Sequence, residues 1–189
     1  PVMSLSATIE LAPHSTTSLA FLTLAGKNQE TVVKLIHKFR EWGNINQAFS
    51  ISAFQAEEAV NRLNLDSDDL KNYSQLLSLL LYPSNVLRAG AATLSANQKS
   101  QPGLWAHAIS GDYPILLVQI YDQEDLLFVR RILRFFNYWR NRGIKVDLVF
   151  MNERPGGYAQ RLQGQLMRLI HRLNTDQWIG QRGGIFILQ

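Results

Sequence analysis

The sequence predicts an α/β fold: an N-terminal β-hairpin, a helical segment, then a small three-stranded parallel β-α-β-α-β unit. Three observations carry this expectation. Leu5, Ala7, Ile9 and Leu11 alternate with Ser6, Thr8 and Glu10, the period of a strand. Residues 26–93 space their apolar side chains at helical intervals instead. From Ile115 onward, short apolar runs alternate with long amphipathic stretches. Parallel strands joined by right-handed helical crossovers are the natural solution for that order.

Taken in order, Ser4–Leu11 and Thr16–Leu24 read as two strands about the turn Ala12-Pro13-His14-Ser15. A lone hairpin is marginal in water, so residues 1–25 are expected to belong to a larger sheet. Residues 26–93 read as helices. Val32, Leu35, Ile36 and Phe39 form one stripe, with Gly43 placed to stop it. Ile51–Leu63 follows, offering Phe54, Ala59 and Leu63 for burial. Asp66 is placed to cap a third helix, with Asp69 adding negative charge at its start. Leu70, Tyr73, Leu76, Leu77 and Leu80 make its stripe, and Pro83 ends it. Residues 94–103 are small, polar and unpatterned, a flexible loop.

The unit at 104–189 opens with Ile115–Tyr121, an almost unbroken apolar run expected of a strand buried on both faces. Glu124–Arg142 reads as a helix closed by Gly143, Lys145–Met151 as a strand, Gln160–Leu173 as a helix and Gly184–Leu188 as a third strand. Arg130, Arg131, Arg134, Arg140 and Arg142 make the first of these helices basic, which reads as a solvated face.

Composition sets outer limits. The chain has 189 residues, 46% hydrophobic and 18% charged, so a sizeable core is expected. The net charge of +4 is mild and its basic residues are dispersed, so no nucleic-acid partner is expected. The absence of cysteine excludes disulfides and thiolate metal sites. No signal peptide is expected, since Pro1-Val2-Met3-Ser4 carries no basic region before an apolar core. No apolar run approaches the roughly 20 residues that span a bilayer, so no direct membrane insertion by this segment is expected.

The segment Trp105-Ala106-His107-Ala108-Ile109-Ser110-Gly111-Asp112 concentrates an aromatic, an imidazole, a hydroxyl and a carboxylate just before the first strand. A hydrolytic triad is disfavoured: triads are defined by geometry, and no Gly-x-Ser-x-Gly elbow surrounds Ser110. Two readings stand. Ser110 and Asp112 bond backbone groups and shape the turn, or Trp105 stacks a sugar or a neighbouring domain while His107 and Asp112 hydrogen-bond. A second cluster, Asn152-Glu153-Arg154, leaves the second strand at the carboxyl edge, where open parallel sheets place ligands. An ordinary strand-to-helix turn is the favoured reading, since turn chemistry explains these residue types without a ligand. A seven-residue strand spans roughly 23 Å, so the two clusters are not expected to form one centre. The tentative ligand-binding residues are therefore Trp105, His107, Ser110, Asp112, Asn152 and Glu153, with no catalytic residue, cofactor or metal ligand assigned. The histidines lack metal-ligand spacing, and no phosphate-binding glycine motif is present.

The run Gly103-Leu104-Trp105-Ala106-His107-Ala108-Ile109-Ser110-Gly111-Asp112-Tyr113-Pro114-Ile115 resembles a signature of the cyclic β-1,2-glucan synthase family, Leu-Trp-Ala-(His/Tyr)-Gly-Ile-Ser-Gly-Asp-Leu-Pro-Ile. Phe136-Asn137-Tyr138-Trp139-Arg140, Val146-Asp147-Leu148-Val149-Phe150-Met151-Asn152-Glu153 and Leu79-Leu80-Leu81-Tyr82-Pro83 fit the same family. Ala108 stands where the family has Gly, and Tyr113 where it has Leu. The resemblance implies an internal fragment of a giant bacterial inner-membrane enzyme. Such enzymes pair a glycosyltransferase part that uses UDP-glucose with a part related to the cellobiose phosphorylases. It further implies that the hairpin is the tail of a β-sandwich and that the partners are other domains of the same polypeptide, with β-glucan a candidate ligand. The fragment itself is expected to be non-catalytic, structural or carbohydrate-contacting. A contribution to a transferase or phosphorylase site at a domain interface, or a stand-alone small-molecule-binding α/β domain, are the alternatives.

Overall fold

A computed structural model describes residues 4–82, 84–152 and 157–188. The chain forms two compact units, residues 1–57 and 58–189. In the first, α1 (Gln29–Phe39) starts on Asn28, whose Oδ1 accepts hydrogen bonds from Thr31 N at 2.9 Å and Thr31 Oγ1 at 2.7 Å. It ends at Arg40, before Gly43, and α2 (Trp42–Arg62) begins at once. Gly43 therefore lies in the first turn of the second helix and does not stop the first. Phe54, expected to be buried, is 67% exposed.

Residues 4–24 form the expected turn but no strand ladder. Ser15 N and Oγ both donate to Ala12 O, at 3.1 and 2.7 Å, and His14 takes a left-handed φ of 61°. No β-pairing joins the flanking segments among the described residues, and Leu5, Leu11 and Phe21 are exposed. Two short strands with no sheet to bury their apolar side gain too little to fix the ladder.

The second unit is built on three parallel strands, β1 (Ile115–Ile120), β2 (Asp147–Asn152) and β3 (Ile185–Leu188), in the order β1-β2-β3. Ile115 pairs with Asp147, and Leu148 with Ile185. The crossovers are α6 (Asp125–Asn141) and α7 (Gly157–Arg172). Because successive right-handed crossovers step in one direction, both helices lie on the same face. Leu116, Val118, Ile120, Leu148, Phe150 and Ile185 meet Val129, Ile132, Leu133 and Phe136 of α6 and Leu162, Leu166 and Ile170 of α7 in one core. The expectation that β1 is buried on both faces does not hold. β1 is an edge strand, alternating exposed and buried residues, with Leu117 50% exposed.

A further layer, α3 (Ser67–Leu81), packs on the outer side of α6. Tyr73 meets Tyr138 edge-on at 4.7 Å between ring centroids and tilts against Phe135 and Trp139. The expected capping is present: Asp66 Oδ1 accepts from Asp69 N at 2.7 Å, and Asp69 Oδ2 accepts in turn from Asp66 N at 3.5 Å. Asp69 does more than favour the helix dipole. Only 4% exposed, it accepts from Arg131 Nε and Nη2 at 3.1 and 2.9 Å and lies 3.5 Å from Arg134 Nη2, while Arg134 Nε donates to Leu63 O at 2.7 Å. The five arginines are thus not solely a solvated face: Arg130, Arg131 and Arg142 are exposed, but four of the five have partners. Two pin α3, Arg140 stacks on Trp178 at 3.7 Å, and Arg142 lies over Tyr138. Pro83, the expected helix end, lies outside the described residues.

Residues 94–103 are partly helical, shared between α4 (Ala91–Ala96) and α5 (Pro102–Trp105). Four helices close by one device: a left-handed residue whose successor donates back five positions. Leu65 N reaches Val60 O past Asn64, Ile109 N reaches Leu104 O past Ala108, Ile144 N reaches Trp139 O past Gly143, and Thr175 N reaches Ile170 O past Asn174. Asn and Gly adopt that conformation at low cost; Ala does not.

Candidate functional site

The left-handed turn at Ala108 throws the chain back after α5 and buries Ile109 with Val149 and Phe186 on the sheet face opposite the helices. Leu104 and Leu188 complete that small cluster. With Leu104 and Ile109 anchored inward, Trp105 is left on the outside, 62% exposed. Beside it opens a shallow cleft of about 450 Å³ lined by Gln101, Trp105, Ser110, Asp112 and Arg182.

The polar wall of this cleft is internally bonded. Gln101 Nε2 donates to Ser110 O at 2.8 Å and to Asp112 Oδ1 at 3.4 Å, and Ser110 Oγ accepts from Asp112 N at 3.3 Å. Arg182 Nη2 pairs with Asp112 Oδ2. The pair is solvent-accessible on both sides, so it orders the wall more than it stabilises the fold. Ser110 and Asp112 thus shape the turn and face an open cleft at the same time.

Arg182 reaches the cleft because its own turn is clamped. Asp147, fully buried at the start of β2, accepts from Gly183 N through Oδ1 at 2.7 Å, and Arg140 Nη1 donates to Gly183 O at 3.0 Å. Both sides of the Gly183 residue are therefore held. Gly183 has φ +67°, and a Cβ there would come within 2.9 Å of Lys145 Cβ, so glycine is needed. The second oxygen of Asp147, Oδ2, is buried with no hydrogen-bond partner. Burial pushes the Asp147 carboxyl above the ordinary aspartate range, the Gly183 and Gly184 amides pull it back, and the nearby Asp112 and Arg182 oppose each other.

The structure brings together Trp105, Ser110 and Asp112. His107 follows Trp105 in the exposed turn but does not line the cleft. Asn152 is buried at the carboxyl end of β2, 7% exposed, while Asp147 and the cleft sit at the amino end. A six-residue strand, about 20 Å long, separates them. Glu153, with Arg154, lies outside the described residues. Sequence reasoning passed over Gln101, Arg182 and Asp147. Gln101 sits in a stretch with no pattern, and Arg182 lies 70 positions from its partner Asp112, a separation no local motif spans.

Chemically, the cleft offers one aromatic face, donors on Gln101 and Arg182, and acceptors on Asp112 and Ser110. Ser110 Oγ accepts from the Asp112 amide, and His107 lies outside the cleft. Among the described residues no group of three or more His, Cys, Asp or Glu could hold a metal ion.

Fold and cleft together define a one-sided, three-stranded parallel α/β unit carrying an exposed aromatic beside an ordered polar wall. This chain is 34% identical over 173 residues, 92% of its length, to cyclic beta-(1,2)-glucan synthase NdvB of Rhizobium meliloti (strain 1021). It spans 6% of that protein's length, so the resemblance read from the sequence is to one segment of a larger synthase. No protein-family model matches the chain. No helix among the described residues is long and apolar enough to cross a membrane.

Proposed function

We propose that the chain is a non-catalytic, carbohydrate-contacting segment of a cyclic β-1,2-glucan synthase-like glycosyltransferase, working beside other domains of the same polypeptide. The observation that carries this reading is Trp105. A large aromatic 62% exposed, flanked by Gln101, Asp112 and Arg182, matches what a polyhydroxylated, uncharged ligand requires. The apolar face of a sugar ring stacks on the indole, and its hydroxyls find donors and acceptors already fixed in place. Similarity to the synthase supports a glucan as that ligand.

Titration with linear β-1,2-gluco-oligosaccharides, followed by tryptophan fluorescence and calorimetry, tests it. Saturable binding is expected, lost in Trp105→Ala and weakened in Asp112→Ala. No heat and no fluorescence change in the unsubstituted protein would sink the reading. Release of glucose from UDP-glucose or glucan by this chain would overturn its non-catalytic part.

A further inference from the structure

We propose that the cleft where the C-terminal ends of α2 and α7 meet α6 binds a phosphate group, as the free ion or as a small phosphate monoester. A recurring tripeptide marks the place. Arg62-Leu63-Asn64 closes α2, and Arg172-Leu173-Asn174 closes α7. Asn64 and Asn174 take left-handed φ values of 51° and 52°, so the two ends turn alike. Both are held by α6: Arg134 Nε donates to Leu63 O at 2.7 Å, and Asn137 Nδ2 donates to Leu173 O at 3.3 Å. Arg130, Arg134, Asn137 and Asn141 follow one another at helical spacing and so share one face of α6.

Between these parts opens a cleft of about 450 Å³, lined by Arg62, Arg130, Arg134 and Arg172 and by no aspartate or glutamate among the described residues. Arg134 is committed to Leu63 O and to Asp69. Arg62, Arg130 and Arg172 are exposed and make no ion pair among the described residues. Asp66, Asp69 and Asp176, which follow the two helix ends, are engaged elsewhere. Asp66 accepts from the Asp69 amide, Asp69 pairs with Arg131 and Arg134, and Asp176 lies 3.5 Å from His171. Closing the helices needs the Leu63 and Leu173 carbonyls answered, and Arg134 and Asn137 already do that. The other three guanidiniums are left over by the fold.

Charge selects the ligand. The carboxyl ends of α2 and α7 each contribute roughly half a negative charge, so three unpaired guanidiniums leave a surplus of about two positive charges. A phosphate monoester carries about 1.5 to 2 negative charges at pH 7, more than a carboxylate can. Guanidinium forks bond phosphate oxygens two at a time, and Asn141 adds a neutral donor beside them. The volume lies in the range of small-ligand clefts. This cleft is on the helix side of the sheet and the Trp105 cleft is on the opposite face, so the two readings are independent.

Calorimetric titration of the chain with inorganic phosphate and with methyl phosphate, at constant ionic strength, tests the proposal. Saturable binding is expected, and the tighter of the two identifies the source as free ion or ester. Acetate is expected to bind at least about tenfold more weakly than phosphate. Arg130→Gln and Arg172→Gln should each weaken phosphate binding at least about tenfold, since each removes a charge-assisted pair. Both side chains are exposed and unpaired, so the thermal melts of these variants should match that of the unsubstituted protein. Arg40→Gln removes an equal charge from an exposed position in the other unit and should change the affinity less than about twofold. No saturable heat with either phosphate would overturn the proposal, as would acetate binding as tightly as phosphate. Equal weakening by Arg40→Gln would also overturn it, by reducing the effect to net charge. None of these readouts involves glucan, so the phosphate cleft and the Trp105 cleft stand or fall separately.

Discussion

Toward α6 and α7 the sheet presents Val118, Ile120, Leu148, Phe150 and Ile185, all at most 6% exposed. On the opposite face Val149 and Phe186 are covered by Ile109 and Leu104, but that cover stops short of β1, where Leu117 is half exposed. The first face is made by the chain's own crossovers and holds the unit together. The second is covered only where the Trp105 segment folds back across β2 and β3. The packing that holds the unit together and the contact cleft we propose therefore lie on opposite sides of one sheet. Substitutions on the two sides should separate cleanly.

The largest expected effect is Phe150→Ala. Its ring is fully buried at the centre of the middle strand, and truncation there should cost about 4 kcal/mol through lost contacts and the cavity left behind. The matched substitution Leu117→Ala on the open face should cost less than about 1 kcal/mol, because half of the side chain already faces water. Urea unfolding of both variants followed by circular dichroism measures the difference. Equal costs would break the comparison.

Asp69→Asn comes next. The carboxylate is almost wholly buried and receives two guanidinium groups. Removing its charge strands Arg134, only 15% exposed, so about 3 kcal/mol should be lost. Asp66→Asn keeps a capping acceptor and should cost less than about 0.5 kcal/mol. A urea midpoint for Asp69→Asn that matches Asp66→Asn would show the joint between α3 and α6 to be dispensable.

How much of this was legible beforehand follows from the range of the forces involved. The parallel unit was readable because its signals are local: apolar runs of strand length, Asp66 and Asp69 three residues apart, Gly143 after a long amphipathic stretch. Burial of β1 was misread because a run such as Ile115–Ile120 looks the same whether its second face is covered or bare. Only what packs on that face of the sheet decides it, and here Ile109 and Leu104 reach β2 and β3 but not β1. The pairings of Arg131, Arg134 and Arg140 were not legible because their partners, Asp69, Leu63 and Gly183, lie far away in sequence. Of the cleft, Trp105, Ser110 and Asp112 were legible as a compact polar segment. Arg182 was not, since its placement depends on Asp147 and Arg140 gripping the Gly183 turn.

Ala108 offers a smaller and opposite effect. It occupies a left-handed position with φ 61° where its counterpart at the end of α6 is Gly143. Ala108→Gly should raise stability by about 1 kcal/mol, since the strain of an L side chain in that region outweighs the entropy glycine adds to the unfolded chain. Gly143→Ala should lose a similar amount. Thermal melts of both variants check the pair. Because the Ala108 turn also sets Trp105 on the surface, the glucan binding we propose should change less than about twofold in Ala108→Gly if the turn geometry is unchanged.

The smallest effect concerns the buried carboxylate behind Arg182. Burial raises the Asp147 pKa in the folded protein above its unfolded value. Between those two values the folded state binds more protons than the unfolded state, so this residue's contribution to stability falls as pH rises through that window and is flat above it. Asp147→Asn removes the titration while keeping an oxygen for Gly183 N. Other carboxylates titrate in both proteins, so the difference between them isolates this one. The unsubstituted protein should gain stability relative to the Asn variant as pH is lowered from 7 toward 4. A difference that stays constant, or that favours the Asn variant more in acid, would show that Asp147 is ionised in the fold at no cost. The Gly183 turn would then present Arg182 by geometry alone.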